Sequence, residues 1–567
     1  MENNKRKKIT VGGVALFNGI IFTSDYRQVA VQKEGEKINS RCTNLTRDKR
    51  IISKIPVIRG LLGLGNQIGN SIPDFMRSSG EEEKSSKLNT LLLYAILIVA
   101  CISIPVLISA FFPVKYQSII QALIIALEFA MYICMLKSIP DLDTLFKYHG
   151  AEHKAVNAYE NLKLEEINLE NVRKQSRFHK RCGGNFIVYF VILTMLTTLL
   201  PIENFIIKAL SMMLLCIFNI GLAYEVVNLF SKFKKPFDII NYPATLIQFF
   251  TTKEPTDEML KLAIYGVLGS TRKENGITPL EYLKKYTSEN LKNKEYETTD
   301  IYSILEYVTG VDRNRLLLQK DRYLITLNNE IEADRLLNKY YNENYPLQYI
   351  THKQYFYNEL YYVDENVLIP RADSEILVEK AIEYIKKEEL KSAIDLCTGS
   401  GALGISTARN SDIETMTLID ISLGAISVAN KNILSNDVGL KVKTKVSDLL
   451  SEIIKETATD EEKKVDIIIS NPPYIKTEVI STLQKEVQKE PHLALDGGKD
   501  GLDFYIRIFK EAKEVLKPNG LLMLEIGYDQ LDDIKNIVKE NSEYTLLESV
   551  KDYGGNDRVV ICRFQEK

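Results

Sequence analysis

The chain has 567 residues, 45% hydrophobic and 26% charged, with a net charge of −3. That length is too great for one ordinary domain and fits two to four, and the composition is that of a globular protein. The acidic or neutral C-terminal part leaves no general nucleic-acid footprint, and the seven cysteines form no CxxC pair, which fits a reducing compartment rather than a disulfide scaffold.

In chain order, the basic segment Met1–Thr10 and the partly apolar Val11–Phe22 faintly imitate a signal peptide, but Asn18 and glycines interrupt the run. No small-residue cleavage site follows, so a short strand-rich start is expected. Four apolar stretches then read as membrane spans near 91–112, 119–136, 186–202 and 205–230. Leu91–Phe112 alone covers about 33 Å as a helix. Residues 1–87 carry sixteen Lys/Arg against nine Asp/Glu, and the link 137–185 holds nine Lys/Arg. The link 113–117 holds only Lys115, the link 203–204 none, and Lys232, Lys234 and Lys235 follow the last span. The positive-inside rule therefore places the N-terminus, the long link and everything after residue 230 in the cytoplasm of a multi-pass cell-membrane protein. Glu128 and Glu225 fall within apolar spans, where a carboxylate is a functional candidate.

The long link contains "HGAEHK" (149–154) and "FHKRCGGNF" (178–186). His149 and His153 share a face if this stretch is helical. With His179 and Cys182 they supply imidazoles and a thiolate, a set suited to zinc. His149-x-x-Glu152-His153 also has the inverted zincin spacing; a hydrogen-bonded polar patch is the alternative. Residues 1–270 resemble the uncharacterised YqhQ-like membrane proteins through "GGVALFNGIIF", "IPVIRGLLGL", "KYHGAEHKAVNAYE", "HKRCGGNF" and "TTKEPTDE". That resemblance implies topology and no activity.

After the polar "TRKENG", Thr278-Pro279-Leu280-Glu281 has the form of a capping box with proline in the first turn. Helical patterns continue through Asp300–Thr309, stopped by Gly310, and Glu330–Tyr341. Residues 277–365 are thus expected to form a helical module with a connecting hairpin, and 366–567 an α/β domain. From residue 391 strands and helices alternate: "KSAIDLC", "TMTLID", "VKTKVSD", "VDIIIS" and "GLLMLEIG" as strands, with "YTLLESV" and "RVVICRF" closing the chain. A doubly wound sheet binds ligands at strand C-termini. There lie Asp395, the turn Thr398-Gly399-Ser400-Gly401, Asp420 (placed to accept ribose hydroxyls) and Asp448-Leu449. Gly399, Gly401 and Gly404 also fit a dinucleotide fingerprint, so this strand end alone leaves NAD open.

The fourth strand end points elsewhere. Asn471-Pro472-Pro473-Tyr474 follows the β-branched run Val465–Ile469. The Asn471 side-chain carbonyl and the Pro472 backbone carbonyl suit the two N–H groups of one planar amide or amine, and Tyr474 suits its face. Asn471, Pro472 and Tyr474 are the catalytic candidates, with Pro473 and Arg371 added for substrate binding and Asn471 also beside the cofactor. Nearby histidine and cysteine nucleophiles are lacking; the task is positioning.

The (D/N)PPY corner resembles that of methyltransferases acting on adenine, cytosine and glutamine nitrogens. "PLQYITHKQYF…VLIPRADSEILVE", "DLCTGSGALGIS", "IDIS", "IIISNPPYI", "EPHLALDGGKDGLDFY", "LKPNGLLMLEIG" and "DYGGNDRVV" together resemble the HemK/PrmC family over residues 277–567. The resemblance implies a class I, Rossmann-like methyltransferase fold and S-adenosyl-L-methionine on Thr398–Gly401, Asp420 and Asp448-Leu449. It implies the Gly-Gly-Gln glutamine of peptide chain release factors as substrate on Asn471–Tyr474, with the helical module docking the release factor. Cys397 replaces a usual glycine, and Ala372-Asp373-Ser374 stands where Pro-Glu-Thr is usual, with Arg371 and Glu375 kept. The rival readings are a nucleic-acid amino-methyltransferase, disfavoured because direct nucleic-acid binding lacks a basic groove, and a membrane metal-binding or transport component with a fused methyltransferase.

Overall fold

The computed structural model describes residues 9–24, 26–45, 55–62, 65, 103–139, 142–200, 202, 204–232, 242–272, 274, 276–287 and 297–566. Two compact units divide the chain. The first takes Met1–Leu291 and Asn314–Glu332, the second Lys292–Arg313 and Ala333–Lys567.

The first unit opens with an antiparallel meander of β1 (Gly12–Ala15), β2 (Gly19–Thr23), β3 (Arg27–Glu34) and β4 (Lys37–Asn44), the strand-rich start the sequence suggests. Ile20 and Phe22 of β2 and Val29 and Val31 of β3 alternate onto one core, as the two-residue period of a strand requires. Helices cover that core. Of the apolar helices, α1 (Val114–Ser138) and α4 (Phe205–Phe230) bracket α2 (Leu142–Asn161) and α3 (Gly183–Thr197) in sequence. α5 (Asp257–Thr271) follows, and with α2 it packs on the meander through Ala151, Ala155, Leu262, Ala263 and Val267. Gly266 permits the close approach, since a Cβ there would come within 2.4 Å of Phe22.

Two helical stretches, Val114–Met135 and Ile206–Phe230, are long and apolar enough to cross a membrane. They lie on the second and fourth expected spans. The third expected span, 186–202, is instead the 15-residue α3, which starts earlier and ends at Thr197. At about 1.5 Å per residue it is some 22 Å long, short of a hydrocarbon core of about 30 Å. In the first expected span, residues 91–102 lie outside the described residues, and 103–109 are helical. So do the basic runs 1–8 and 46–54, together with Lys234 and Lys235. Glu225 is held in an ion pair by the Arg59 guanidinium, which gives that carboxylate a structural role. The 137–185 link holds the whole of α2 rather than an open loop.

The capping box forms as read: Thr278 N–H donates to Glu281 Oε2 at 2.9 Å and Glu281 N–H to Thr278 Oγ1 at 3.2 Å. Gly310 ends the helix Thr298–Thr309 at a φ of 67°, a left-handed cap that glycine adopts without steric cost.

The second unit begins its strands with the hairpin β5 (Gln354–Phe356) and β6 (Glu359–Tyr361). Its sheet comprises β7 (Ser392–Leu396), β8 (Thr415–Asp420), β9 (Val442–Val446), β10 (Val465–Ser470), β11 (Leu516–Glu525), β12 (Tyr544–Lys551) and β13 (Asp557–Phe564). The spatial order is β12-β13-β11-β10-β7-β8-β9. β11, β10, β7, β8 and β9 run parallel, and β13 is antiparallel to both its neighbours. In β10, Ile467 and Ile469 enter the core on one sheet face and Ile468 that on the other. Burial on both faces explains why the strand reads as a continuous apolar run. The order reverses between β10 and β7, and a ligand crevice is expected at their C-terminal ends.

Candidate functional site

Asp395, next to last in β7, is fully buried. Its Oδ2 accepts from Thr398 Oγ1 at 2.5 Å and from Gly404 N–H at 2.9 Å, while Oδ1 has no partner. Burial pushes this carboxyl up to about 7. The next turn, at Thr398–Gly401, brings Gly399 to a φ of 55° and Gly401 to 82°. Gly399 N–H donates to Asp420 Oδ2 at 2.9 Å, and Ser422 N–H to Asp420 Oδ1 at 2.9 Å. Those bonds oppose the rise that burial imposes on Asp420. Ser400 O accepts from Asn432 Nδ2 at 2.8 Å, so the turn is braced from the helix Leu423–Ser435. At the β9 end, Asp448 pairs with Arg507 at 2.9 Å. Leu449, at a φ of 45°, is buried in the apolar core.

β10 leads into Asn471, beside β7 in the sheet: Ser470 Oγ donates to Leu396 O at 2.6 Å. Asn471 Nδ2 donates to Ser374 Oγ at 3.2 Å. Pro472 and Pro473 are buried. Tyr474 is pinned at both ends, its OH donating to Glu525 Oε1 at 3.2 Å and its carbonyl accepting from Gln530 Nε2 at 3.0 Å. Burial pushes the Glu525 carboxyl up, opposed by Ser374, Arg558 and Tyr474. Arg371 is tied to Glu490, whose other oxygen accepts Ile369 N–H at 3.0 Å. The structure thus gathers Asp395, the glycine turn, Asp420 and Asn471–Tyr474 on adjacent strand ends.

Sequence reasoning did not single out Ser374, Glu525, Gln530 or Gly497. Glycine at 497 is a steric necessity: a Cβ there would lie 2.7 Å from Tyr474 Cα and 2.9 Å from Pro473 O. Ile475 N–H donates to Leu495 O at 3.0 Å, and Gly497 N–H to Ile475 O at 2.8 Å, so the "LALDGG" segment forms a backing for the corner. The doubled glycine was the available signal.

The histidine–cysteine set lies in the first unit. His149 and His153 sit one turn apart on α2, with ring centroids 4.4 Å apart. Their Nδ1 atoms face the Thr251 carbonyl at 2.8 Å and the Arg177 carbonyl at 2.6 Å. Carbonyl oxygens only accept, so each Nδ1 carries the proton and each Nε2 presents a lone pair. Cys182 N-caps α3, accepts Gly184 N–H at 3.2 Å and lies 3.3 Å from His149 Nε2. One donor atom from each of His149, His153 and Cys182 lies within 4.8 Å of the others. Burial pushes the Cys182 thiol up to about 12 and the Glu152 carboxyl upward. His179, the fourth residue expected here, turns its Nε2 to Glu160 at 3.4 Å.

Two family profiles match the chain. One, described as "Protein of unknown function (DUF1385)", covers residues 55–272; the other, "Methyltransferase small domain", covers 373–540. The release factor glutamine methyltransferase of Clostridium acetobutylicum is 38% identical over 288 residues, which are 49% of this chain and 96% of that protein. The chain belongs to the release factor glutamine methyltransferase family. The Fusobacterium nucleatum member is 37% identical over 286 residues, 50% of this chain and 76% of its own. A solved protein-(glutamine-N5) methyltransferase (release factor-specific) of Alicyclobacillus acidocaldarius is 27% identical. It matches 36% of this chain and all of its own, at a TM-score of 0.23. The family relationship accounts for about half of the chain.

Proposed function

We infer that this protein transfers a methyl group from S-adenosyl-L-methionine to the side-chain amide nitrogen of the glutamine in the Gly-Gly-Gln loop of peptide chain release factors. Family membership supports the reaction. The observation that carries the site is Asn471: its N–H is spent on Ser374, which leaves its carbonyl oxygen as an acceptor at the β10 end. Accepting one substrate N–H there and the other at the Pro472 carbonyl holds the amide plane fixed and draws electron density onto its nitrogen. Tyr474, anchored by Glu525 and Gln530, offers a rigid wall beside it. Arg371, set by Glu490, is assigned to the substrate side, as is the helical module within 277–365.

When bound, S-adenosyl-L-methionine supplies an electrophilic methyl sulfonium. The residues suit its other groups. The unpartnered buried Asp395 Oδ1 complements an ammonium. Asp420 complements ribose hydroxyls, Thr398–Gly401 allows close backbone approach, and Asp448-Leu449 flanks the base. Orientation in a fixed crevice supplies much of such a rate enhancement.

For residues 1–270 the reading is a multi-pass membrane anchor, with its N-terminus and the methyltransferase domain on the cytoplasmic side. The exposed Leu123, Leu127, Leu210 and Leu214 on α1 and α4 support contact with lipid, as apolar faces of this extent need cover. Between these helices Lys208 Nζ of α4 donates to Ser118 Oγ of α1 at 3.2 Å.

The test uses the full-length protein in detergent with methyl-labelled S-adenosyl-L-methionine. A release factor is expected to take up label, and the same factor with its Gly-Gly-Gln glutamine changed to alanine is not. Label on DNA or RNA instead would overturn the glutamine reading.

A further inference from the structure

We propose that the first unit holds a zinc ion on His149 Nε2, His153 Nε2 and Cys182 Sγ, with Glu152 outside the ligand set and beside the fourth position. The two histidines have the support that metal-binding imidazoles use, Nδ1–H to a backbone carbonyl, at 2.8 Å from Thr251 O and 2.6 Å from Arg177 O. This fixes the tautomer that exposes Nε2. His153 Nε2 is buried with no hydrogen-bond partner, which is costly for a polar atom unless a ligand meets it.

The spacing also fits. With Zn–N of about 2.0 Å and Zn–S of about 2.3 Å, tetrahedral coordination separates a nitrogen from a sulfur by about 3.5 Å. His149 Nε2 and Cys182 Sγ are 3.3 Å apart, and one donor atom from each of the three residues lies within 4.8 Å of the others. A thiolate with two imidazoles favours zinc over calcium or magnesium, which take oxygen ligands. The Gly184 N–H on Cys182 Sγ, at the N-terminus of the 15-residue α3, complements thiolate charge.

Segments distant in sequence are brought together to build this site. A Cβ at Gly150 would lie 2.0 Å from Lys253 O. Glycine there lets the 251–253 backbone reach His149. Gly13 of β1 leaves room for the Glu152 side chain, which a Cβ would meet at 2.3 Å. Glu152 Oε2 lies 3.8 Å from His149 Nε2 and 3.7 Å from His153 Nε2. That is close enough to hydrogen-bond a water on the ion, the arrangement of zinc sites that keep one open position.

The test is metal content and cobalt spectroscopy on the full-length protein. Purified protein is expected to carry about one zinc per chain. After chelation, Co²⁺ is expected to give tetrahedral d–d bands with a thiolate-to-cobalt charge-transfer band. Cys182→Ser should remove the charge-transfer band, and His153→Ala should weaken binding at least about 100-fold. His179→Asn and Glu152→Gln should both keep the ion. Wild-type protein that takes up no zinc or cobalt would overturn the site without reference to any variant. Loss of the ion in His179→Asn or Glu152→Gln as severe as in His153→Ala would overturn the ligand assignment. Neither result touches the methyl-transfer reading of the second unit.

Discussion

Asn471 and Ser374 are joined side chain to side chain, Nδ2 to Oγ at 3.2 Å, across 97 residues of sequence. This bond decides which end of the Asn471 amide is left to act. Asn471→Ala is expected to lower methyl transfer about 10²–10³-fold, the usual cost of removing one preorganised hydrogen-bonding group. Ser374→Ala leaves the amide free to rotate and is expected to cost about tenfold, near 1.4 kcal/mol of orientation. In both, cofactor affinity measured by calorimetry should change little. Transfer that survives Asn471→Ala would remove the corner from the mechanism.

Asp395 gives a pH dependence of defined sign. Its folded-state pKa of about 7 lies above the value of about 3.9 for an unfolded aspartate. Between those values the unfolded chain has lost a proton that the folded chain retains. Stability from this group is therefore complete below about pH 4 and is lost as pH rises toward 7. Denaturant titrations of the cofactor-free protein should show that decline, and Asp395→Asn should flatten it by a few kcal/mol. Cofactor affinity should move the other way, rising from pH 5.5 to 8, because an ammonium at Oδ1 favours the ionised carboxylate.

Gly497 tests the backing of the corner. Alanine there would place Cβ 2.7 Å from Tyr474 Cα and 2.8 Å from Tyr474 C, and backbone on both sides cannot swing aside. Gly497→Ala is expected to reduce transfer by at least about tenfold, since small misplacements of a positioned group are costly. Gly439→Ala, whose Cβ meets Ile433 at an ordinary 3.8 Å, is the control and should behave as wild type. Equal activity in the two variants would show that the corner tolerates displacement.

Cys397 explains a departure from the family pattern. Its φ is 58°, in the region where a Cβ costs roughly 1–2 kcal/mol, so the glycine usual at this position is the unstrained choice. Cys397 is also partly buried against the core, and that packing offsets the strain. Cys397→Gly is expected to stay within about 1 kcal/mol of wild-type stability, whereas Cys397→Val, β-branched at positive φ, should destabilise by about 2 kcal/mol or more. Thermal unfolding of the three proteins distinguishes them.

The chain from residue 277 onward was largely legible because local signals agreed. Thr278 and Glu281 announced a cap, Gly310 a stop, and Val465–Ile469 a doubly buried strand. The strand-end residues Asp395, Asp420 and Asn471 followed from the sheet's connectivity. Ser374 and Glu525 were not legible, because each acts through a contact to Tyr474 or Asn471 that only the folded chain makes. α3 was misplaced because an apolar run fixes hydrophobic extent and not helix ends: Cys182 caps it four residues before the run. His179 shared the composition of a ligand but not its direction, since its Nε2 faces Glu160.

The membrane reading makes a sidedness prediction. Lys115, at the start of α1, lies in the short link that the charge bias assigns to the outside. Lys163 follows α2, in the long link assigned to the cytoplasm. In a cysteine-free background, Lys115→Cys in intact cells should react with a membrane-impermeant maleimide, and Lys163→Cys only after permeabilisation. Labelling of Lys163→Cys in intact cells would invert the orientation and put the methyltransferase domain on the wrong side for a cytoplasmic substrate. Equal protection of both would mean that the exposed leucines of α1 and α4 meet a protein partner instead of lipid.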